Sequence, residues 1–282
     1  MDTPLVSVVI PSYNRAAVVE KAIRSVLEQT CGNLELILVD DGSKDGTRQV
    51  VDAIGDPRLR YVYQDNAGAC AARNHGAELA RGEYIAFHDS DDAWYPQKLE
   101  KQLRIMESTG ADIVICKLLM RQPDGTAIRY PKRVGEGFLS PADDLFGIGT
   151  QTILGRREAV QRIRFDASFP RYQDLEWMIR AVRDYRVYCL DEPLVDYEVG
   201  ADSISANPRR MYQALRLLAD KYPDMKTRYP ALSMHIVKNL LANWRAFRPV
   251  AQGEEKAYWR LVGRFYPGVL RFLGSRNTPH NN

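Results

Sequence analysis

With 282 residues, 45% of them hydrophobic, the chain has enough apolar material for one large domain with a smaller appendage. No stretch approaches 18 apolar residues without a charge, which argues against a spanning helix, and residues 5–10 are too short for the core of a signal peptide. The net charge of +3 conceals an imbalance: from Ala206 onward stand 14 Lys and Arg against 4 Asp and Glu, so an acidic body carries a basic tail. Cys31, Cys70, Cys116 and Cys189 are widely spaced, with no CxxC pair and no zinc pattern. Buried free thiols in a reducing, cytoplasmic compartment are the expectation.

In chain order, 5–10 is a β-branched run ending in the turn Pro11-Ser12-Tyr13-Asn14, and 18–29 has helical apolar spacing. The run 34–39 is a second strand that ends in Asp40-Asp41-Gly42-Ser43. Asp45 is placed to cap a helix over 48–54. A third strand at 59–63 leads through Asn66-Ala67-Gly68 into a small-residue helix, 69–80, that carries Arg73 and Asn74. Strand 84–88 follows. Strand and helix alternate over short connections, which predicts βαβ units, a parallel sheet, and ligands at the carboxyl ends of its strands. No G-x-G-x-x-G or Walker A loop follows the first strand, so dinucleotide and P-loop chemistry are disfavoured.

The second half predicts a helix over 96–109, a strand over 111–116, hairpins within 124–137, a strand over 148–154 and a short helix over 157–162. A helix at 175–183 and strands at 186–190 and 194–197 come next. Beyond Ser205 the chain reads as basic helices at 211–221, 231–247 and 254–265.

The fourth strand runs straight into Asp89-Ser90-Asp91-Asp92. Crowded carboxylates repel unless a cation compensates, and Mg²⁺ is commonly shared between carboxylates and substrate phosphates. An Asp-x-Asp metal–diphosphate site is one reading. A solvated acidic turn capping the helix 96–109 is the other.

Five patterns occur in one order: Val8-Val9-Ile10-Pro11-Ser12-Tyr13-Asn14, Val39-Asp40-Asp41-Gly42-Ser43, Ala72-Arg73-Asn74-His75-Gly76, Gly82-Glu83-Tyr84-Ile85 into Asp89-Ser90-Asp91-Asp92, and Gln173-Asp174. Together they resemble family 2 glycosyltransferases, inverting enzymes of the GT-A fold, over about residues 4–205. The resemblance implies an α/β, Rossmann-like mixed sheet flanked by helices. It divides the chain into a catalytic domain, 1–205, with a nucleotide-sugar half (1–92) and an acceptor half (93–205), followed by a helical extension, 206–282.

It also implies roles. Asp41 resembles the acceptor of the uracil N–H, Tyr13 the ring packed on the base with Pro11 beside it, and Arg73 the basic residue next to the nucleotide. Asp91 resembles the ligand of a divalent Mn²⁺ or Mg²⁺, and Asp89 a carboxylate on the donor's ribose or on the metal through water. Asp92 either joins them or caps the next helix. Asp174 resembles the general base, with Gln173 toward the acceptor and Glu176 supporting the acceptor or standing in as base; Trp177 reads as a core residue, with a face for a sugar as the alternative. The donor implied is a UDP-sugar, and the acceptor a glycan or lipid-linked saccharide of surface polysaccharide synthesis. A non-catalytic nucleotide- or glycan-binding module of the same fold is the alternative. Nucleic-acid binding is not expected, for no recognition motif accompanies the basic tail.

Departures from the pattern are Gln173 in place of Glu, His88 in place of an apolar residue, and no His in 197–203 to complete a metal shell. A core histidine is the simpler reading of His88. Tyr258, Trp259, Leu261, Val262, Phe265, Tyr266, Val269, Leu270, Phe272 and Leu273 interleave with Arg260, Arg264 and Arg271. This predicts either peripheral contact with an anionic membrane surface or packing on protein.

Overall fold

The computed structural model describes residues 3–122, 124–198, 207–242 and 255–265. Four strands begin the fold: β1 (Val6–Ser12), β2 (Leu34–Asp40), β3 (Leu59–Tyr63) and β4 (Tyr84–Phe87). They pair in parallel in the spatial order β3-β2-β1-β4. The crossovers are α1 (Val19–Leu27), α2 (Thr47–Ile54) and α3 (Ala69–Leu79). β1 and β2 are buried along their whole length, as strands covered on both faces must be. Asp45 does not cap α2 directly. Gly46 holds the cap position, while Asp45 accepts the Thr47 amide at 3.0 Å.

The sheet then becomes mixed. After β5 (Ala93–Trp94) and α4 (Lys98–Thr109) come β6 (Ile113–Arg121), β7 (Ala127–Tyr130), β8 (Gly137–Phe138), a 3-10 turn (Thr150–Thr152) and β9 (Ile153–Arg156). β9 lies antiparallel between β4 and β6, so β6 runs parallel to β4. Helices α5 (Arg157–Ile163) and α6 (Gln173–Asp184) lead to β10 (Val187–Glu198), which pairs with β6 in parallel and with β5 antiparallel. The two strands expected over 186–197 are one strand, bulged around Pro193 because proline cannot donate to a ladder.

The two faces of the sheet are covered differently. Val8, Ile10, Leu36, Ala86, Val114, Cys116 and Leu118 join Ile23, Leu99, Leu103 and Met106 in the core on the α1–α4 side. On the other face α3 packs on β1 and β2. A Cβ added at Gly76 would lie 2.4 Å from Val9 Cγ1 and 3.1 Å from Val39 Cγ2, so only glycine permits that approach. Phe87 meets Phe165 edge-on at 5.1 Å, and Phe165 stacks on Trp177 of α6 at 5.9 Å, so α6 belongs to the α3 face.

The chain forms two compact units. The first comprises residues 1–140, 147–167 and 173–201, and the second 141–146, 168–172 and 202–282. In the second unit α7 (Pro208–Lys221), α8 (Met225–Arg228), α9 (Pro230–Ala242) and α10 (Glu255–Phe265) pack together. Asn207 caps α7, accepting the amides of Arg209 and Arg210, with Pro208 at the first helical position. The segment 141–146 is stapled to α9: Asp144 pairs with His235 Nδ1 at 2.7 Å, and Phe146 stacks on the same ring.

Of the two readings of the tail, packing on protein is the one seen where the tail can be read. Leu261, Val262 and Phe265 are buried, and α10 packs on α7, α8 and α9, so these residues offer no face to a membrane. The side chains of Tyr258 and Trp259, and all of 266–273, lie outside the described residues. Among the described residues no helix is long and apolar enough to cross a membrane.

Candidate active site

The carboxyl ends of β1, β2 and β4 bring together the residues singled out above. Pro11 is buried inside β1 opposite Val39, so it shapes the strand end rather than presenting a surface. Tyr13, just past the strand, is 46% exposed, and its ring is open to a planar partner. Asn14 takes φ 51° and its side chain accepts the Lys44 amide at 2.8 Å, which fastens this turn to the one after β2.

Asp41 is more occupied than a free acceptor would be. Its carboxylate takes hydrogen bonds from Gln64 Nε2 at 2.7 Å, Ala67 N at 2.8 Å and Gly68 N at 2.8 Å. Asn66 Nδ2 donates to its backbone carbonyl at 2.9 Å. Asp41 is thus the fastener of the loop that leads into α3. The sequence reading missed Gln64, which also meets His75 Nδ1 at 2.8 Å; its position directly after β3 was the available signal.

Arg73 is buried, and its guanidinium faces protein. Nη2 donates to Asp89 Oδ1 at 2.6 Å, the group lies over the Phe165 ring at 5.4 Å, and Nε has no partner. The expected free fork toward a nucleotide is therefore partly committed to Asp89, and one Asp89 oxygen is committed in return. Burial works against the guanidinium charge, but the Asp89 carboxylate more than restores it and holds the pKa above its ordinary value.

Asp91 is the open carboxylate, its side chain 52% exposed, with Arg15 Nη2 at 3.7 Å. Partial desolvation first and the neighbouring Asp89 second raise its pKa, while Arg15 opposes them. Asp92 is different. It is buried, neither oxygen meets a partner in good hydrogen-bond geometry, and burial followed by Asp89 and Asp91 pushes its pKa up to about 9, against the weaker pull of the nearby Gln151 side chain. It does not cap α4, whose cap position is Gln97 with no side-chain bond. The acidic-turn reading of the motif therefore has no cap to rest on.

Among the described residues no three His, Cys, Asp or Glu side chains converge as a metal cage. The arrangement suits a hard divalent ion held by Asp91, with Asp89 beside it and the remaining ligands from phosphate oxygens. His88 is a core residue: it packs on Trp94 at 4.5 Å, Nε2 lies 3.3 Å from Ser25 Oγ, and burial, reinforced by Lys98, keeps it neutral.

Asp174 stands in the first turn of α6, where a negative charge suits the helix dipole, and its Oδ1 accepts the Leu175 amide at 2.8 Å. Desolvation raises its pKa. The amide and Arg73 pull the other way, and Asp89 adds to the rise. Asp174 thus lies in the field of the Arg73–Asp89 pair. Gln173 begins the helix beside it, half-buried.

The acceptor-side expectation for Glu176 is corrected, and of the two readings of Trp177 the core one holds. Glu176 is fully buried and forked onto Arg180, at 2.8 Å and 2.6 Å, and Arg180 also donates to the carbonyls of Ile163 and Arg164. A carboxylate so engaged is half of a structural ion pair within α6, through which Arg180 also holds the end of α5. Trp177 has no exposed surface and stacks on Phe165, so it presents no face to a sugar.

The model of the family described as "Glycosyl transferase family 2" matches residues 7–169, more than half of the chain. TuaG of Bacillus subtilis (strain 168), named for teichuronic acid biosynthesis, is 36% identical over 209 residues, covering 72% of this chain and 82% of that protein. The chain belongs to glycosyltransferase family 2. It is a glycosyltransferase of the GT-A fold, and its mixed sheet is the scaffold expected of that fold. Among solved structures, S. aureus TarS 1-349 in complex with UDP-GlcNAc superposes with a TM-score of 0.75 at 20% identity, over 92% of this chain and 80% of that one. The mannosyltransferase PcManGT from Pyrobaculum calidifontis, in complex with GDP-Man and Mn²⁺, gives 0.58 at 18% identity, over 98% and 89%.

Proposed function

We propose that this family 2 glycosyltransferase moves a sugar from a UDP-linked donor to a hydroxyl of a glycan or lipid-linked saccharide in surface polysaccharide synthesis, with inversion. One arrangement carries the reading: Arg73 is paired with Asp89 on the donor side and lies in the field of Asp174, so one buried cation is shared between a donor-side and an acceptor-side carboxylate.

The open ring of Tyr13 supplies a stacking face for a base, and the loop fastened by Asp41 lines the same strand ends. Asp91, steadied by Arg15, would hold a divalent ion against the donor's diphosphate, with Asp89 assisting. That ion would supply charge neutralisation for the nucleotide leaving group. Asp174 would take the proton of the acceptor hydroxyl as its oxygen attacks the anomeric carbon from the side opposite the nucleotide. Its raised pKa brings the base nearer to working pH. Little covalent machinery is needed; positioning and charge compensation carry the rate. The UDP-GlcNAc held by TarS supports a uridine diphosphate donor, the Mn²⁺ held by PcManGT supports that ion, and the name of TuaG supports an acceptor in a cell-surface polymer.

The test separates the roles by substitution. Asp91→Asn is expected to abolish the metal dependence of UDP binding in calorimetry, and Asp174→Asn to leave UDP binding near the native value and stop transfer. Native-level transfer by the Asp174→Asn protein would remove the base assignment. UDP binding with no transfer to any saccharide acceptor by the unaltered protein would favour a binding module instead.

A further inference from the structure

A polar cavity, of about 470 Å³, opens beside the β6–β7 hairpin. That volume lies within the range of about 300–1,000 Å³ usual for small-molecule sites. Its walls carry four cations, Lys117, Arg129, Lys132 and Arg133, against a single carboxylate, Asp191. Lys117 is buried at its base, where Nζ donates to the carbonyls of Pro131, at 2.6 Å, and Val134. Asp191 serves two of the cations at once: Oδ1 lies 3.6 Å from Lys117 Nζ and 3.3 Å from Arg129 Nη2. One negative charge shared in this way leaves the cavity electropositive on Lys117, Arg129 and Lys132 alone, and a cation held out of water keeps most of its field.

Strand register places this cavity relative to the catalytic carboxylates. Ala86 of β4 stands opposite Leu154 of β9, and Leu154 opposite Val114 of β6. Lys117, three residues beyond Val114, therefore comes roughly level with Asp89, three beyond Ala86. Two strand spacings, roughly 10 Å, separate the strands that carry them. Cys116 and Leu118 belong to the α1–α4 core, so Lys117 between them projects to the other face, the one that carries α3 and α6. Arg73 and Asp174 come from those two helices. The cavity shares both sheet edge and sheet face with the catalytic base, to its side and away from the nucleotide half.

We propose that this cavity binds an anionic group of the acceptor, a carboxylate or a phosphate, and so selects acidic acceptors over neutral ones. The inference rests on the glycosyltransferase reading for the word acceptor, but not for the presence of the anion site. Arg129, half-exposed and steadied by Nη2 on the Asp191 carbonyl at 2.7 Å, presents the rest of its guanidinium to either anion, and Lys132 at the exposed rim would draw it in.

Direct binding tests the site without catalysis. Trigalacturonate, its neutral methyl ester and inorganic diphosphate are titrated into the intact protein by calorimetry, alongside UDP with Mn²⁺. The expected result is saturable binding of a charged probe, weakened roughly tenfold or more by Lys132→Ala and, separately, by Arg129→Gln. Raising salt to about 0.5 M should weaken it as well, and the methyl ester should not bind. Binding of trigalacturonate alone assigns the site to a glycan carboxylate, and binding of diphosphate alone to the phosphate of a lipid carrier. No saturable binding of either probe, or binding that these substitutions leave unchanged, overturns the proposal. UDP affinity of the variants should equal that of the parent. A parent that binds the acidic probe but not UDP would overturn the donor assignment while leaving the anion site standing.

Discussion

Arg73 Nη2 and Asp89 Oδ1 lie 2.6 Å apart, and this one contact ties α3 to the acidic turn after β4. Both groups are largely shielded from solvent, with side-chain exposures of 10% and 25%, so removing one leaves the other buried without compensation. Such losses cost about 3–5 kcal/mol. Asp89→Asn and Arg73→Met should each fall in that range in urea denaturation. The double substitution should cost less than the two together, as expected of groups in direct contact.

The pH dependence of transfer should carry the signature of Asp174. The base acts only when ionised, and burial penalises the ionised form, so the acid limb of kcat should lie above the ordinary Asp value of about 3.9. For stability the sign is the reverse. A carboxyl whose folded pKa is raised favours the fold below its unfolded pKa and loses that contribution as pH rises through the folded value. Asp174→Asn should therefore be inactive and melt higher than the parent at neutral pH, with the difference vanishing in acid.

Asp41 predicts a local effect. In Asp41→Ala the exposed amides of Ala67 and Gly68 exchange a carboxylate acceptor for water, at a cost of at most about 1.5–3 kcal/mol for each hydrogen bond to a charged group. Hydrogen exchange at these two amides should accelerate sharply while exchange in β6 and β10 stays slow. UDP affinity should fall with it, because the loop 64–68 leads directly into the helix of Arg73.

Gly76→Ala would force a methyl group against Val9 and push α3 off the sheet. Overpacking of this kind costs about 1–3 kcal/mol. The change should also weaken donor binding, because α3 holds Arg73 in place. Val9→Ala in the same chain makes room for the added methyl and should restore donor affinity. Rescue would show that the defect is one of helix position.

Much of the donor half was legible in the sequence. The runs ending at Pro11, Asp41 and Asp89 are continuous β-branched or apolar segments, and their order marks which residues share a sheet edge. The mixed second half was harder to read. β9 inserts antiparallel between β4 and β6, and nothing within residues 153–156 records that long-range pairing. The same limit explains Glu176 and Trp177. Their types suit an acceptor site, yet Arg180 and Phe165 claim them in the core.

The sequence by itself determined the family, the parallel donor half and the residues standing at its strand ends, since periodicity and motif order are local properties of the chain. Only the tertiary structure decided which of those residues are open. Asp91 and Tyr13 face outward, Asp41 fastens a loop, Asp92 is sealed, and Arg73 is spent partly on Asp89. It also gathered Lys117, the Arg129–Arg133 segment and Asp191 around one cavity. The reason is physical: a charged group's role depends on its partners and its solvent, and in a folded chain both are supplied by residues far away along it.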